Sequence, residues 1–494
     1  MRYHATARLL PLLLLGPTAC GPRADGSKAR AAAAATTIPV TTASAEARQH
    51  YTTGLDLFDK LRVADARGHF ALAAARDSDF ALAQYYLALT ATTAKEFFQR
   101  LNRAVALASH ASEGERLVIL ALQAGANADP EKQVGIYQQL VATYPNDPRA
   151  HFLLGFARSG QQAYDKAIAE FTRATALDSN FSPAYNGLGY AYRPLGRYDD
   201  AERAFQRYIA LIPSEPNPYD SYAELLLKTS RYAKSIEMYR KALALDPHFN
   251  SSRAGIAANL MYQGKYTVAR AEAQKLVKAA RDDGERRAAF LAVAIVDLDA
   301  GHADRALQQL GSRYAVAKRG KDVSAMVQDA TLIGDVELEA RQPDLAARQY
   351  RQALQMMESS GLSSDLKASA RIEHHAQLAR VALKRRDLRA AKREAKAYAD
   401  SAAHGTHPDR VRQGHELAGL VALASRDFAG ALTELAQADQ QDPYVLYTMA
   451  RAYEGQRDRA QARALYARVA AFNDLPTLRY AGVRRAARAK EARP

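Results

Sequence analysis

The sequence predicts an all-α protein of stacked antiparallel helix pairs, and three observations carry that expectation. Small residues recur every 34 positions, at Gly155, Gly189, Ala223 and Ala257. Twelve positions after each comes a second small residue (Ala167, Ala201, Ser235, Ala269), and four further on come Phe171, Phe205, Tyr239 and Ala273. Runs that alternate apolar and β-branched residues are almost absent, so strands are not expected.

Each part of the pattern has a physical reason. A glycine in the first helix of a unit, as in HFLLGFA (Gly155) and YNGLGYAY (Gly189), lets the second helix cross closely. The second helix returns Ala167 or Ala201 to the same contact, and its ring, Phe171, Phe205 or Tyr239, plugs the gap to the next unit. Pro145, Pro213 and Pro247, with Ser179 in the same register, close the units. Proline stops a helix because it lacks the N–H and clashes with the preceding turn. One such unit cannot bury its apolar face alone, whereas a stack buries a continuous core.

Spacing and residue type together resemble the tetratricopeptide repeat family. The resemblance implies a helical solenoid, a right-handed superhelix of antiparallel helix pairs. Upstream, Gly54, Ala66, Phe70 and Ala73 keep the offsets, and Leu117–Pro145 is a looser unit with Tyr137 as its plug. Downstream, Gly334, Ala346, Tyr350 and Ala353 fit, as do Gly419, Ala431, Ala438 and Pro443 with Leu435 in the aromatic position, then Ala450, Ala462 and Tyr466. Segments near 81–113, 287–320 and 372–405 are helical by pattern and match weakly. Eleven or twelve units result. From Ala294 through Gly334 and Ala379 to Gly419 the period lengthens to 40–45, which requires longer helices or longer connections. The charged stretch AARDDGERRA (279–288) is either a seam between arrays over 46–280 and 281–475 or one long charged helix.

The N-terminus reads as an export signal. MRYHATAR is basic, LLPLLLL is apolar, and GPTAC ends at Cys20, the one cysteine of the chain. The apolar run is far short of the ~20 residues of a transmembrane helix. Residues 1–20 resemble a bacterial lipoprotein signal with Cys20 as the lipidated residue, although Pro17 stands where an aliphatic is usual; secretion after cleavage nearby is the alternative. Residues 21–45 are small, polar and proline-interrupted and read as a flexible tether. Gly21 after the cysteine favours the outer membrane of a Gram-negative cell, with the repeats in the periplasm.

Composition narrows the function. The chain has 494 residues, 48% hydrophobic, no tryptophan and a net charge of +15. No block of catalytic-domain size is free of the repeat, which argues against an enzyme. Positive charge concentrates toward the end, in the tail RRAARAKEAR (484–493) within a terminal basic segment, 476–494. That tail reads either as a solvated helix capping the array or as a surface for anionic partners. Nucleic acid is not an expected partner of an exported chain.

Chemistry is sparse. His374, His375, His404, His407, His415 and Asp409 cluster in sequence without the spacing of a metal site, so no metal and no cofactor are expected. Asp220 and Glu224 lie four apart on one helix face, open to solvent or to basic groups of a partner. In the family resembled, first helices line the concave face and contact the ligand. The positions this implies here are Phe152, Phe156, Asn186, Tyr190, Arg193, Asp220, Glu224 and Lys228. They suit an extended peptide through rigid aromatic area and charge-assisted hydrogen bonds. The expected function is a lipid-anchored scaffold that docks protein or peptide partners in the cell envelope. The alternative is a glycan-binding lipoprotein serving an outer-membrane transporter, with tyrosines as platforms.

Cys20→Ser is expected to leave the protein unlipidated and released from membranes. Fractionation with a radiolabelled fatty acid checks this; a mutant still membrane-bound, with no label in the wild type, contradicts it.

Overall fold

The computed structural model describes residues 37–491 apart from 93, 128, 363 and 404–407. Cys20 and the rest of segment 1–20 lie outside the described residues, as do His404 and His407. The described residues form 25 helices and no strand. They are α1 (Ala45–Asp59), α2 (Val63–Arg76), α3 (Ala81–Leu89), α4 (Ala94–Leu107), α5 (Glu113–Ala126), α6 (Pro130–Thr143), α7 (Pro148–Gly160), α8 (Tyr164–Leu177), α9 (Ser182–Tyr192), α10 (Tyr198–Leu211), α11 (Pro216–Lys228) and α12 (Tyr232–Leu245). There follow α13 (Asn250–Tyr262), α14 (Tyr266–Ala279), α15 (Asp283–Asp299), α16 (Ala303–Arg319), α17 (Val323–Glu339), α18 (Pro343–Ser359), α19 (Ser364–Lys384), α20 (Leu388–Ala403), α21 (Pro408–Ala424), α22 (Phe428–Leu435), α23 (Pro443–Gly455), α24 (Arg459–Ala470) and α25 (Leu478–Glu491). Odd-numbered helices up to α23 are the first members of twelve pairs, and α25 stands alone.

The 34-residue echo is a ring seated between two notches. A Cβ added to Gly155 would lie 2.8 Å from the Phe171 ring, and one added to Gly187 of the next unit would also lie 2.8 Å from it. Each ring thus meets the first helix of its own unit 16 positions back and that of the next unit 16 positions on. Tyr350 meets Gly334 in the same way, Tyr239 meets Gly255 ahead, and Phe70 stacks on Tyr86 at 4.7 Å. Ala167, Ala201 and Ala269 are fully buried at the crossing. Ser235 is buried there too, its hydroxyl donating to the Ala223 carbonyl at 2.7 Å.

Helix ends follow from local chemistry. Asp129, Asp147 and Asp442 cap α6, α7 and α23, each followed by proline at the first helical position, where no N–H is needed. Ser112 and Glu115 form a reciprocal capping box on α5. Pro145, Pro213 and Pro247 lie in the connections before α7, α11 and α13. The weakly matching segments are complete pairs, and the longer periods are longer helices: α15 to α18 have 17 residues each and α19 has 21.

The described residues divide into two compact units, those up to 218 and those from 219 on. The charged stretch 279–288 lies inside the second, where Asp282 caps α15 by accepting from the Glu285 amide at 2.8 Å. The tether reading of 21–45 fails for its described part. The Ile38 amide donates to Asp147 at 2.8 Å, the Thr41 amide to Glu115 at 2.8 Å, and the Thr42 hydroxyl to Asp77 at 2.5 Å. This extended segment is held by carboxylates near helix starts and ends, with Ile38 and Val40 packed against the core.

Gly189→Leu would drive a side chain into the Phe205 ring. It is expected to destabilise the first unit by about 1–3 kcal/mol. Urea unfolding followed by circular dichroism checks this, and an unchanged midpoint contradicts the register.

Candidate functional site

In the first unit, first helices face one another across an inner wall. Arg149 at the start of α7 reaches Asp59 at the end of α1, three pairs away, with two hydrogen bonds of 3.0 and 2.5 Å. The guanidinium lies 5.2 Å from the Phe181 ring centre. Desolvation opposes its charge, but Asp59, Tyr86 and Tyr51 hold its pKa well above the arginine norm. Sequence reasoning missed this pair because its members are 90 residues apart.

The expected groove residues separate into two groups. In the first unit, Phe152 and Phe156 occupy on α7 the positions that Asn186 and Tyr190 occupy one period later on α9, and the two helices touch. Phe152 is half-buried against Phe171 and Phe181, with ring centres 5.8 and 5.6 Å away, so it is part of the packing more than a platform. Phe156 is 48% exposed. The Tyr190 ring packs edge-on to Phe205 at 5.4 Å, and the Arg193 guanidinium lies 5.2 Å from the Tyr190 ring centre. Asn186 carries a buried side-chain oxygen without a hydrogen-bond partner.

The second group is engaged internally. Asp220 and Glu224 are buried, and Asp220 accepts from Ser252 at 2.7 Å and Ser251 at 3.3 Å on α13. They are not an open carboxylate pair: both are buried, and Asp220 faces the next first helix. The Lys228 ammonium donates to the Phe472 carbonyl and to Asp474, both at 2.8 Å, and lies 3.7 Å from the Phe472 ring centre. The segment after α24 therefore occupies the position expected for a ligand.

The basic tail is likewise not a solvated cap. Leu478, Tyr480, Ala481, Val483, Arg484 and Ala487 on α25 are buried. Arg484 is 1% exposed, and Arg488 donates to the Tyr262 carbonyl at 3.2 Å.

The histidines belong to a recurring rung. Residues 19 apart join the two helices of one pair: His151–Glu170 at 2.7 Å, His375–Glu394 at 2.8 Å and His415–Glu434 at 2.8 Å, with Arg253–Glu272 at 3.1 Å in the equivalent slot. His374 instead approaches Gln377, and burial lowers its pKa. Among the described residues no three metal-binding side chains converge. No helix among them is long and apolar enough to cross a membrane.

Models described as tetratricopeptide repeat match residues 120–180, 157–216 and 217–249. The chain carries tetratricopeptide repeats over residues 120–249, and such repeats serve as protein-interaction scaffolds. No curated protein matches the sequence. Among solved structures, a tetratricopeptide repeat protein from Parabacteroides merdae ATCC 43184 aligns at 16% identity over 52% of this chain and 96% of its own, with a TM-score of 0.36. MamA aligns at 21% identity over 31% of this chain and 92% of its own, with a TM-score of 0.28.

The His151 rung predicts a pH effect. The hydrogen bond to Glu170 raises the His151 pKa above 6.5. A raised pKa contributes stability that is present below the unfolded value and lost as pH rises through the folded value. His151→Gln should therefore cost more at pH 6 than at pH 8, by no more than about 1 kcal/mol. Urea midpoints at the two pH values check this; an equal cost contradicts the charged rung.

Proposed function

We propose that the first unit binds an extended peptide segment of a protein partner on the α7–α9 face. The carrying observation is the unpartnered buried oxygen of Asn186 on the same helix as Tyr190, with the exposed ring of Phe156 on the adjoining helix α7. A buried acceptor without a donor costs free energy that a peptide N–H would recover. Phe156 supplies apolar area, and Arg193, just after α9, supplies a cation for a carbonyl or carboxylate. An interaction scaffold, not an enzyme, is the reading that the repeats support. We further propose a setting in the cell envelope, with the chain anchored by lipid at Cys20 in the outer membrane and facing the periplasm. The order of basic, apolar and cysteine-ending segments in residues 1–20 supports that setting.

The test places a photo-crosslinking amino acid at position 156 and captures partners from envelope extracts. Against a captured partner, Arg193→Ala is expected to weaken binding about tenfold to a hundredfold, since a hydrogen bond to a charged group contributes about 1.5–3 kcal/mol. Lys166→Ala, on the exposed side of α8, is the control and should change nothing. Unaltered binding by Arg193→Ala contradicts the groove assignment.

A further inference from the structure

Residues 472–491 engage first helices throughout the second unit. The connection before α25 holds α11 through Lys228, and the Tyr262 hydroxyl at the end of α13 donates to the Asp474 carbonyl. On α25 itself, Arg479 donates to Glu416 of α21 at 2.6 Å and pairs with Asp442, the cap of α23, at 3.0 Å. Arg484 donates to Asp299 at the end of α15 at 2.7 Å, and Lys490 to Glu454 of α23 at 2.6 Å. A 14-residue helix is only ~21 Å long. To reach α15 and α23 at once it must lie inside a curved array whose first helices form the inner wall. One face of α25 is apolar, with Tyr480, Val483 and Ala487 in a common core with Tyr262 and Val296. Its charges meet acids on separate first helices, in the manner of a bound peptide.

We propose that the second unit is a receptor for a basic amphipathic helix and that residues 472–491 are its resident, exchangeable occupant, which a partner helix of the same chemistry displaces. Three features favour exchange over permanent burial. The segment is joined to α24 by an irregular connection, residues 471–477, with Asn473 in the left-handed region (φ 47°). Beside its apolar face it is held by ion pairs, and buried ion pairs add little net stability because both charges lose their hydration. The seam also leaves Arg484 Nε, Asp299 Oδ2 and Asn473 Oδ1 buried without hydrogen-bond partners. The spacing of Arg479, Arg484 and Lys490 along one helix describes the competing helix: basic residues five and six apart beside an apolar stripe. This site lies wholly in the second unit and does not depend on the α7–α9 reading.

The test is exchange in trans on the full-length chain. A fluorescein-labelled peptide of residues 472–494 is added and anisotropy is followed. With Arg479→Ala and Arg484→Ala introduced in the chain, the resident helix is weakened, and the unaltered peptide should bind at least tenfold more tightly than to the wild-type chain. A peptide carrying the same two substitutions should bind at least tenfold more weakly. In the wild-type chain, amide hydrogen exchange should open α25 before α15 and α17. If the altered chain is native by circular dichroism yet takes up no more peptide, α25 is a fixed part of the core and the proposal is overturned. If the altered chain does not fold, hydrogen exchange on the wild type decides: α25 opening only together with α15 overturns it. Dimerisation of the altered chain in place of peptide uptake assigns the groove to a second copy and overturns the partner reading.

Discussion

The array depends on a ring seated between two small residues. Phe171 touches the glycine notch of its own first helix at Gly155 and that of the next at Gly187, so one side chain sets the spacing within a unit and between units. Repetition of that contact makes the fold a chain of nearest-neighbour interfaces. Where the ring is missing, the gap is filled differently. Ala257 and Ala273 close on each other and on Val293, and Leu435 fills the notch at Gly419. Small-on-small packing there brings the helices together without aromatic area, so those interfaces bury less.

Within each unit the inner wall is closed by charge. Arg149 and Asp59 tie the first and fourth pairs of the first unit, and α25 carries Arg479 and Arg484 into an acidic interior in the second. Part of the excess positive charge of the sequence is thus neutralised inside the molecule and does not act as a surface field. The α7–α9 face differs, because it combines an exposed ring with a buried acceptor that has no internal donor.

The period, the small–small–aromatic order and the proline stops placed most of the helix pairs, because those features are local and steric. Helix lengthening after α14 was legible as a longer period. What escaped the sequence is what depends on distant partners. Amphipathic α25 reads the same as a solvated cap, since Asp299 and Glu416 lie 185 and 63 residues from their arginines. Asp220 and Glu224 read as a solvated face because helical periodicity does not say which side the next unit covers. The histidine rungs were legible in principle: the spacing of 19 between His151 and Glu170 recurs at His375 and His415. Of the candidate site, sequence reasoning proposed Phe156, Asn186, Tyr190 and Arg193 by register, and the structure sets them on or just after α7 and α9. It counted Lys228 with them because the register repeats even where the chain's own tail covers it.

A double-mutant cycle between Gly189 and Phe205 tests the notch contact most directly. Phe205→Ala alone removes the ring and should cost about 3–5 kcal/mol. In its absence the leucine of Gly189→Leu has room, so the double variant should be more stable than the sum of the single losses by at least about 1 kcal/mol. Losses that add to within about 0.5 kcal/mol would show that the two residues do not share the contact and would contradict the ring-and-notch basis of the array.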